Sequence, residues 1–466
     1  MNKTKLLSLI QHFIEEQNHL ASDFEILELT SNLQKATANS LVFYKLHADQ
    51  KSLENFHKRL ESVTPGLLIL NRHPGKITKP YLIIDECCFL KAQKILLDEF
   101  YPLPPHLKLV GITGTNGKTT TVNLAQQISE QMGHPAISFG TLGICKNGSI
   151  VEDLGGTTPS YIELRRLIHQ YGKTEEVVYF EVSSHALIQD RLHDLKLDAT
   201  AWTSFSQDHL DYHKTMDEYF EAKTLISSKY SKPQAPFFVP REEKELIQKF
   251  EQLKFLFKRT RSLKDFGFHN VPPFFKADFN RNNFELALEL NEAIWKTTPK
   301  IDLNKLILPQ GRFATLELGE KLVIIDYAHT PDALENICKA VKRSFPACEL
   351  SLVFGCGGNR DKTKRPIMGA IGERYADKLY ITSDNPRDEI PSDIIDDIIS
   401  GLKSPSNSFH HEDRALTIEK AISESSATGI IIIAGKGHED YQEIAGIKHP
   451  YSDFSVVENF IKNRKS

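Results

Sequence analysis

The stretch LKLVGITGTNGKTTT, Leu107 to Thr121, decides how the rest of the chain is read. An apolar run ends at Ile112 and Thr113, and after it come two glycines, a lysine and a run of hydroxyl side chains. That is the order in which a strand gives way to a phosphate-binding loop and then a helix. The usual pattern, G-x-x-x-x-G-K-[ST], fits Gly117, Lys118 and Thr119 but asks for a glycine at 112, where the chain has Ile112. The expectation is therefore a shorter cradle, Gly114 to Thr120. Gly114, Thr115, Asn116 and Gly117 would turn backbone N–H groups inward, Lys118 would reach phosphate, and Thr119, followed by Thr120, would offer a hydroxyl to Mg²⁺. A glycine turn capping a helix would explain the glycines but would need neither the lysine nor the threonines.

Downstream of the loop, Leu124, Ile128 and Met132 recur at four-residue spacing, which predicts a helix and completes a βα unit. Further strands are predicted in PAISFG (135–140), EEVVYFEVSS (175–184) and DATAWTSF (198–205). Upstream, YPLPPH (101–106) has three prolines in four positions and marks a connector. A second break is expected in ILPQGRF (307–313). Three domains follow: 1–104, 105–310 and 311–466. In the third, KLVIIDYAHTP, LSLVFGCGGNRD, KLYITSDNPR and GIIIIAGKGHED are apolar runs that each end in small and charged residues. Between the first two, DALENICKAVK sets Leu334, Ile337 and Val341 on one helical face. The fold class is α/β, and ligands of an open parallel sheet bind outside the carboxyl ends of its strands, where all four polar clusters fall.

With 466 residues the chain exceeds a single core. Its 57 basic and 61 acidic side chains give a net charge of −4, which offers no global attraction to nucleic acid or anionic lipid. Six scattered cysteines without C-x-x-C spacing read as reduced thiols, and Cys356 as a small buried filler. In MNKTKLLSLIQHFIEEQN the apolar run is interrupted by His12, Glu15 and Glu16, so neither a signal peptide nor a membrane span is expected. A cytoplasmic monomer is the expectation.

The motifs GTNGKTTT, GGTTP (155–159), EVSSHAL (181–187), QDHLDYH (207–213), YFEAK (219–223), DYAHTPDAL (326–334), GCGGNRDKTKRP (355–366), DNPR (384–387) and GKGHEDY (435–441) together resemble the ATP-dependent Mur ligases of peptidoglycan synthesis, in the family's order. The likeness spans roughly residues 107–460 and is nearest to the members that add meso-diaminopimelate to UDP-MurNAc-L-Ala-D-Glu. It implies a three-domain architecture with a P-loop ATPase-like central domain and a Rossmann-like carboxy-terminal domain. It also implies an amide ligase that works through an acyl phosphate with ATP and Mg²⁺.

By the same resemblance Lys118 holds the β/γ-phosphates, and Thr119 and Glu181 ligate Mg²⁺. His209 helps bind a second metal, and Lys223 is the lysine carbamylated in relatives. Read without the family, YFEAK is an exposed lysine on an amphipathic helix, and the QDHLDYH histidine a hydrogen-bonded loop residue. Asn280 and Asn283 match the asparagines that face adenine, although a helix N-cap explains them equally. Arg312, Asp326 and His329 match the nucleotide side of the third domain. Thr157, Thr158, Ser183, Gln189 and Arg191 match contacts to the muramoyl peptide. Arg387, with Arg360, Asp384, Asn385, Pro386, Gly435 and Glu439, matches the pocket for the incoming amino acid, where a guanidinium grips the distal carboxylate of diaminopimelate. DNPR also reads as a type I turn with Pro386 second.

Two segments depart from the family. ELTSNLQKATANSLVFYKL (28–46) has Ser31 without the arginine that follows it in relatives, and no DGH-like segment occurs. FFVPREEKELI (237–247) replaces an Asn-x-Asp-Asp-like turn. The rival expectations are a lysine-adding, muropeptide-recycling or folylpolyglutamate-like ligase, or a noncatalytic nucleotide-binding scaffold.

Overall fold

The computed structural model of the chain describes residues 1–20, 23–269, 275, 277–309 and 311–465. Gln310, inside the expected second break, lies outside the described residues. The chain divides into two units. The first comprises Met1–Gly111, Gly133–Ala199 and Leu225–Ala235, the second Ile112–Met132, Thr200–Thr224 and Pro236–Ser466.

In the first unit, β1 (Ile14–Asn18), β2 (Glu28–Thr30), β3 (Ser40–Tyr44), β4 (Leu67–Leu70) and β5 (Tyr81–Ile84) form one sheet in the order β1-β5-β4-β3-β2. Strands β2 to β5 pair in parallel, and β1 runs antiparallel to β5. The runs LLIL and YLII are buried along their whole length, as expected of a sheet covered on both faces. On one face the helices Lys3–Ile10 and Glu86–Phe100 pack with Tyr161 and Ile162; on the other, Phe56 and Leu60 come from the helix Gln50–Glu61. Asn2, Asp49 and Asp85 cap these three helices with their side chains.

β6 (Lys108–Thr113) is the strand of the opening stretch, and the division between units falls within it, at Gly111 and Ile112. In the first unit β7 (Ala136–Gly140), β8 (Gly143–Lys146), β9 (Ser149–Glu152) and β10 (Val177–Glu181) follow. β10 pairs with β7 in parallel, and β7, β8 and β9 form an antiparallel ribbon.

In the second unit β11 (Ala199–Trp202), β12 (Phe237–Val239) and β13 (Lys258–Arg259) are parallel neighbours. Here too lies the helix Lys118–Gln131, packed on the helix Asp278–Trp295. A six-stranded sheet then runs in the order β14-β15-β19-β16-β17-β18, from β14 (Ala314–Leu318), β15 (Lys321–Asp326), β16 (Leu350–Phe354), β17 (Lys378–Thr382), β18 (Ser408–His411) and β19 (Ile430–Ala434). All its pairs are parallel except β14 with β15. The helices Pro331–Ser344, Lys364–Tyr375 and Pro391–Ile399 cover one face and Arg414–Glu424 and Asp453–Lys465 the other, the doubly wound arrangement expected. A hairpin of β20 (Tyr441–Ile444) and β21 (Ile447–Pro450) lies between β19 and the last helix. The predicted strands and both predicted helices are present, and Leu334, Ile337 and Val341 are buried together.

Candidate active site

The phosphate loop runs from the end of β6 into the helix that begins at Lys118. Gly114 has φ 143° and Gly117 φ 86°, conformations that glycine alone adopts freely. A Cβ on Gly114 would stand 1.9 Å from Thr203 Oγ1, and one on Gly117 2.3 Å from Asn283 Oδ1. The cradle therefore has no room for side chains. Lys118 Nζ donates to the carbonyls of Gly114 and Thr115 at 2.9 and 2.8 Å, so it folds back over its own loop. Ser204 supports the loop from β11 by accepting from the backbone of Thr115 and, through its hydroxyl, from Asn116 N.

Asn116 also reaches the six-stranded part of the unit. Its Nδ2 lies 3.2 Å from Thr330 Oγ1 and 3.1 Å from Asp332 Oδ2, in the first turn of the helix Pro331–Ser344. Arg312 Nη2 donates to Thr119 Oγ1 at 3.3 Å, and its guanidinium stacks 4.4 Å from the Tyr327 ring centroid. Its buried Nε has no hydrogen-bond acceptor among the described residues. Asp326, at the end of β15, accepts from the backbone of Phe313 and Ala328, and burial raises its pKa. His329 is pulled down to about 4 by burial and then by Lys364, so its imidazole is neutral near pH 7; Nδ1 lies 2.9 Å from the Tyr327 carbonyl.

His209 sits at φ 56° just before the turn Leu210–His213, and its Nε2 is 3.5 Å from Asp208 Oδ2. Burial opposes the charge on Asp208, but His209, Lys364 and His329 together hold its carboxyl well below the usual range. Lys223 is completely buried in the helix Met216–Ser228, against the exposed position that an amphipathic reading gives it. Its Nζ donates to Gly114 O at 2.8 Å over the Tyr219 ring. Burial, and then the nearby Lys118, pull its pKa well below that of an ordinary lysine.

Asn280 and Asn283 lie inside the helix Asp278–Trp295, whose N-cap is Ala277, so neither is a cap. Asn283 Oδ1 accepts from Thr121 Oγ1 at 3.3 Å and packs against Gly117, a contact with the phosphate loop that spacing alone did not reveal. In the departing segment, burial and then Asp332 push the Glu243 carboxyl up to about 7.

The first unit gathers the expected acceptor residues into one hydrogen-bonded cluster. Glu181, buried at the end of β10, accepts from Thr141 N at 2.8 Å and from Thr141 Oγ1 at 3.2 Å. Thr157 Oγ1 is 3.2 Å from the same hydroxyl. Thr158 Oγ1 donates to the Glu181 carbonyl and accepts from Ser183 N, and Arg191 donates to Gln189 Oε1 and to the Thr158 carbonyl.

In the six-stranded part the polar clusters all follow parallel strands. Arg387, at φ 53°, donates from Nη1 to Gly358 O at 2.8 Å and pairs through Nε with Glu443 Oε2 at 3.2 Å. Its Nη2 makes no hydrogen bond among the described residues. Arg360 is exposed, Asp384 Oδ1 accepts from Asn385 N, and Gly435 N donates to Asp326 O. The turn bond runs from Glu389 N to Pro386 O, so Pro386 is first in the turn rather than second as expected. Cys356 is the buried filler expected, 3.7 Å from Met368 Sδ.

Sequence reasoning assigned nothing to three buried cations. Arg365 ties Gly357 O to Glu389 and Asp397, Arg414 ties Ser383 O and Ala434 O to Asp453, and Lys436 contacts Asn385 and Glu439. Two of them stood inside quoted motifs, so their motif membership was the available signal.

A phosphate cradle beside a doubly wound sheet whose polar loops share one edge defines a nucleotide-dependent enzyme of the α/β class. The Mur ligase middle domain matches residues 112–296, and the Mur ligase glutamate ligase domain residues 311–437. The chain belongs to the Mur ligase family, and as a member it is an ATP-dependent enzyme that forms amide bonds. It is 35% identical over 452 residues to the UDP-N-acetylmuramoyl-L-alanyl-D-glutamate--2,6-diaminopimelate ligase of Aquifex aeolicus, covering 92% of each chain. A solved structure of a ligase of that name shares 26% identity with a TM-score of 0.55 over 95% of this chain and 96% of that one. The MurF ligase of Thermotoga maritima, solved in complex with ADP, shares the fold at 15% identity, with a TM-score of 0.62 over 94% and 98%. No helix among the described residues is long and apolar enough to cross a membrane.

Proposed function

We propose that the chain joins meso-diaminopimelate to UDP-N-acetylmuramoyl-L-alanyl-D-glutamate, as a monomer in the cytoplasm, with domains at 1–104, 105–310 and 311–466. The observation that carries this reading is the tie between the phosphate loop and the doubly wound sheet. Asn116 holds Thr330 and Asp332, and Arg312 holds Thr119, so the loops that would receive ATP and the amino acid share one frame.

ATP, when bound, would supply the phosphoryl group that turns the acceptor carboxylate into an acyl phosphate, with ADP leaving; attack by the amine would then form the amide and release phosphate. Lys118, now on the loop carbonyls, would be the cation to neutralise the phosphate charge, and Arg312, whose Nε is unpaired among the described residues, would meet the same charge. Among the described residues no cluster of three His, Cys, Asp or Glu can hold a metal by itself. Mg²⁺ commonly rests on one or two side chains together with substrate phosphates and water. Thr119, Glu181, His209 and Lys223 are the residues proposed for it. Asn280 and Asn283 are proposed for the base side, with Asp326 and His329 completing the nucleotide site. Thr157, Thr158, Ser183, Gln189 and Arg191 are proposed to hold the acceptor peptide.

Lys223 suits conversion to a carbamate, because only a neutral amine attacks CO₂ and its lowered pKa leaves it neutral at lower pH than an exposed lysine. After storage in CO₂-free buffer, turnover is expected to rise when bicarbonate is added. Equal rates with and without bicarbonate would remove the carbamate.

Arg387 presents a guanidinium held at two points, with Nη2 unbonded among the described residues and so able to pair with a substrate carboxylate. Arg360, Asp384, Asn385, Pro386, Gly435 and Glu439 are proposed to complete that pocket. Phosphate release and product mass, measured with the dipeptide nucleotide and a panel of amino acids, test the reading; absence of a diaminopimelate product would sink it. Arg387→Ala is expected to raise KM for diaminopimelate about 10- to 100-fold and leave KM for ATP within about twofold. An equal loss for both substrates would count against its role. Ser31 bonds Ser160 across 2.7 Å and has no neighbouring arginine, which makes the recycling reading worth one comparison, that of free with UDP-linked acceptor peptide.

A further inference from the structure

Lys436 is wholly buried, two residues past the end of β19 and next to Gly435. Its Nζ lies 3.0 Å from Asn385 Oδ1 and 2.9 Å from Glu439 Oε2, and 5.6 Å from the centre of the Tyr441 ring. A buried ammonium is costly unless it is paired and hydrogen-bonded, so its two partners are held firmly in return.

The amide of Asn385 has only one orientation open to it. Its Oδ1 accepts from Lys436 Nζ and from the backbone N–H of Glu443 at 2.9 Å, which uses both lone pairs of a carbonyl oxygen. Nδ2 must then face Glu439, and it donates to Oε2 at 2.8 Å. Oε2 therefore has two donors, while Oε1 makes no hydrogen bond among the described residues. The side chain of Glu439 is 15% exposed, whereas that of Lys436 is fully covered. One carboxylate oxygen is thus fixed in place by two donors, and the other is left without a hydrogen bond among the described residues.

We infer that Lys436 is a positioning residue for the incoming amino acid: it locks Asn385 and Glu439 so that Glu439 Oε1 is set to receive an ammonium group of the substrate. This rests on the functional reading above. Lys436 itself touches no substrate. Without it the Asn385 amide is free to flip and Glu439 is free to turn, and the pocket loses the fixed negative end that complements Arg387 on the neighbouring loop.

The test is steady-state kinetics of the full chain with meso-diaminopimelate, ATP and the dipeptide nucleotide. Lys436→Met keeps the length of the side chain and removes the charge. It is expected to raise KM for diaminopimelate about tenfold or more and to leave KM for ATP within about twofold. Glu439→Gln should raise the same KM by a similar factor. The double variant should fall well short of the product of the two single effects, because part of what Lys436 does runs through Glu439. Multiplying effects, or an unchanged KM for diaminopimelate in Lys436→Met, would overturn the inference. If Lys436→Met fails to fold, Glu439→Gln decides alone, and an unchanged KM for diaminopimelate there would overturn it too. A wild-type chain that forms no product with any amino acid would instead defeat the functional reading, whereas an active wild type with unaffected variants defeats only this one.

Discussion

Replacing Lys118 with alanine is expected to lower turnover by about 10³-fold or more while the chain stays folded. Phosphoryl transfer asks the protein mainly to place and neutralise charge. In the phosphate loop this is the cation that turns back over the cradle, 2.9 and 2.8 Å from the Gly114 and Thr115 carbonyls. Alanine is the strongest helix former and suits the first turn of the helix Lys118–Gln131, so stability should change little. Single-turnover phosphate release and a thermal melt, run side by side, separate the two effects. Turnover within about tenfold of the wild type would remove Lys118 from the chemistry. Complete loss of turnover with an unchanged melt would exclude a scaffold that merely binds nucleotide.

Arg414→Ala should produce the largest loss of stability, about 3–5 kcal/mol, measured as a shift in the urea midpoint. Arg414 and Asp453 are both fully buried and joined through two hydrogen bonds of 2.8 Å. Removing the guanidinium strands a carboxylate away from water. It also frees the carbonyls of Ser383 and Ala434, which stand just before Asp384 and Gly435. Arg414→Met combined with Asp453→Asn should be less damaging than Arg414→Ala, since no lone charge is left behind. A single-variant cost below about 1 kcal/mol would show that the pair contributes little.

The phosphate loop and the four polar strand ends were legible because each is a local pattern: an apolar run long enough for a strand, then small residues where backbone meets ligand. Lys223, Arg365, Arg414 and Lys436 were not legible in the same way. A charged residue on a helix or in a loop reads as solvated, and what reverses that reading is a partner far along the chain, such as Gly114 for Lys223 or Asp453 for Arg414. The resemblance drew attention to Lys223, and its buried place in the structure supplies the physical reason. The one-residue shift of the turn at Pro386 likewise has a distant partner, since the backbone of Arg387 pairs with Glu443 and Ala445 of the β20–β21 hairpin. The five short strands of the first hundred residues carry no motif, and only their arrangement in space groups them.

The hydrogen bonds from Asn116 to Thr330 and Asp332 have a consequence for the order of binding. A side chain in the phosphate cradle and the first turn of a helix on the doubly wound sheet share one contact, so a ligand that strengthens or breaks it at one end changes the free energy at the other. Reciprocity then requires that whatever factor nucleotide applies to amino-acid affinity, the amino acid applies to nucleotide affinity. Asn116→Ala should therefore weaken the dependence of each affinity on the other before it weakens either, with the Arg312–Thr119 contact as the remaining tie, a signature visible in paired titrations without any turnover.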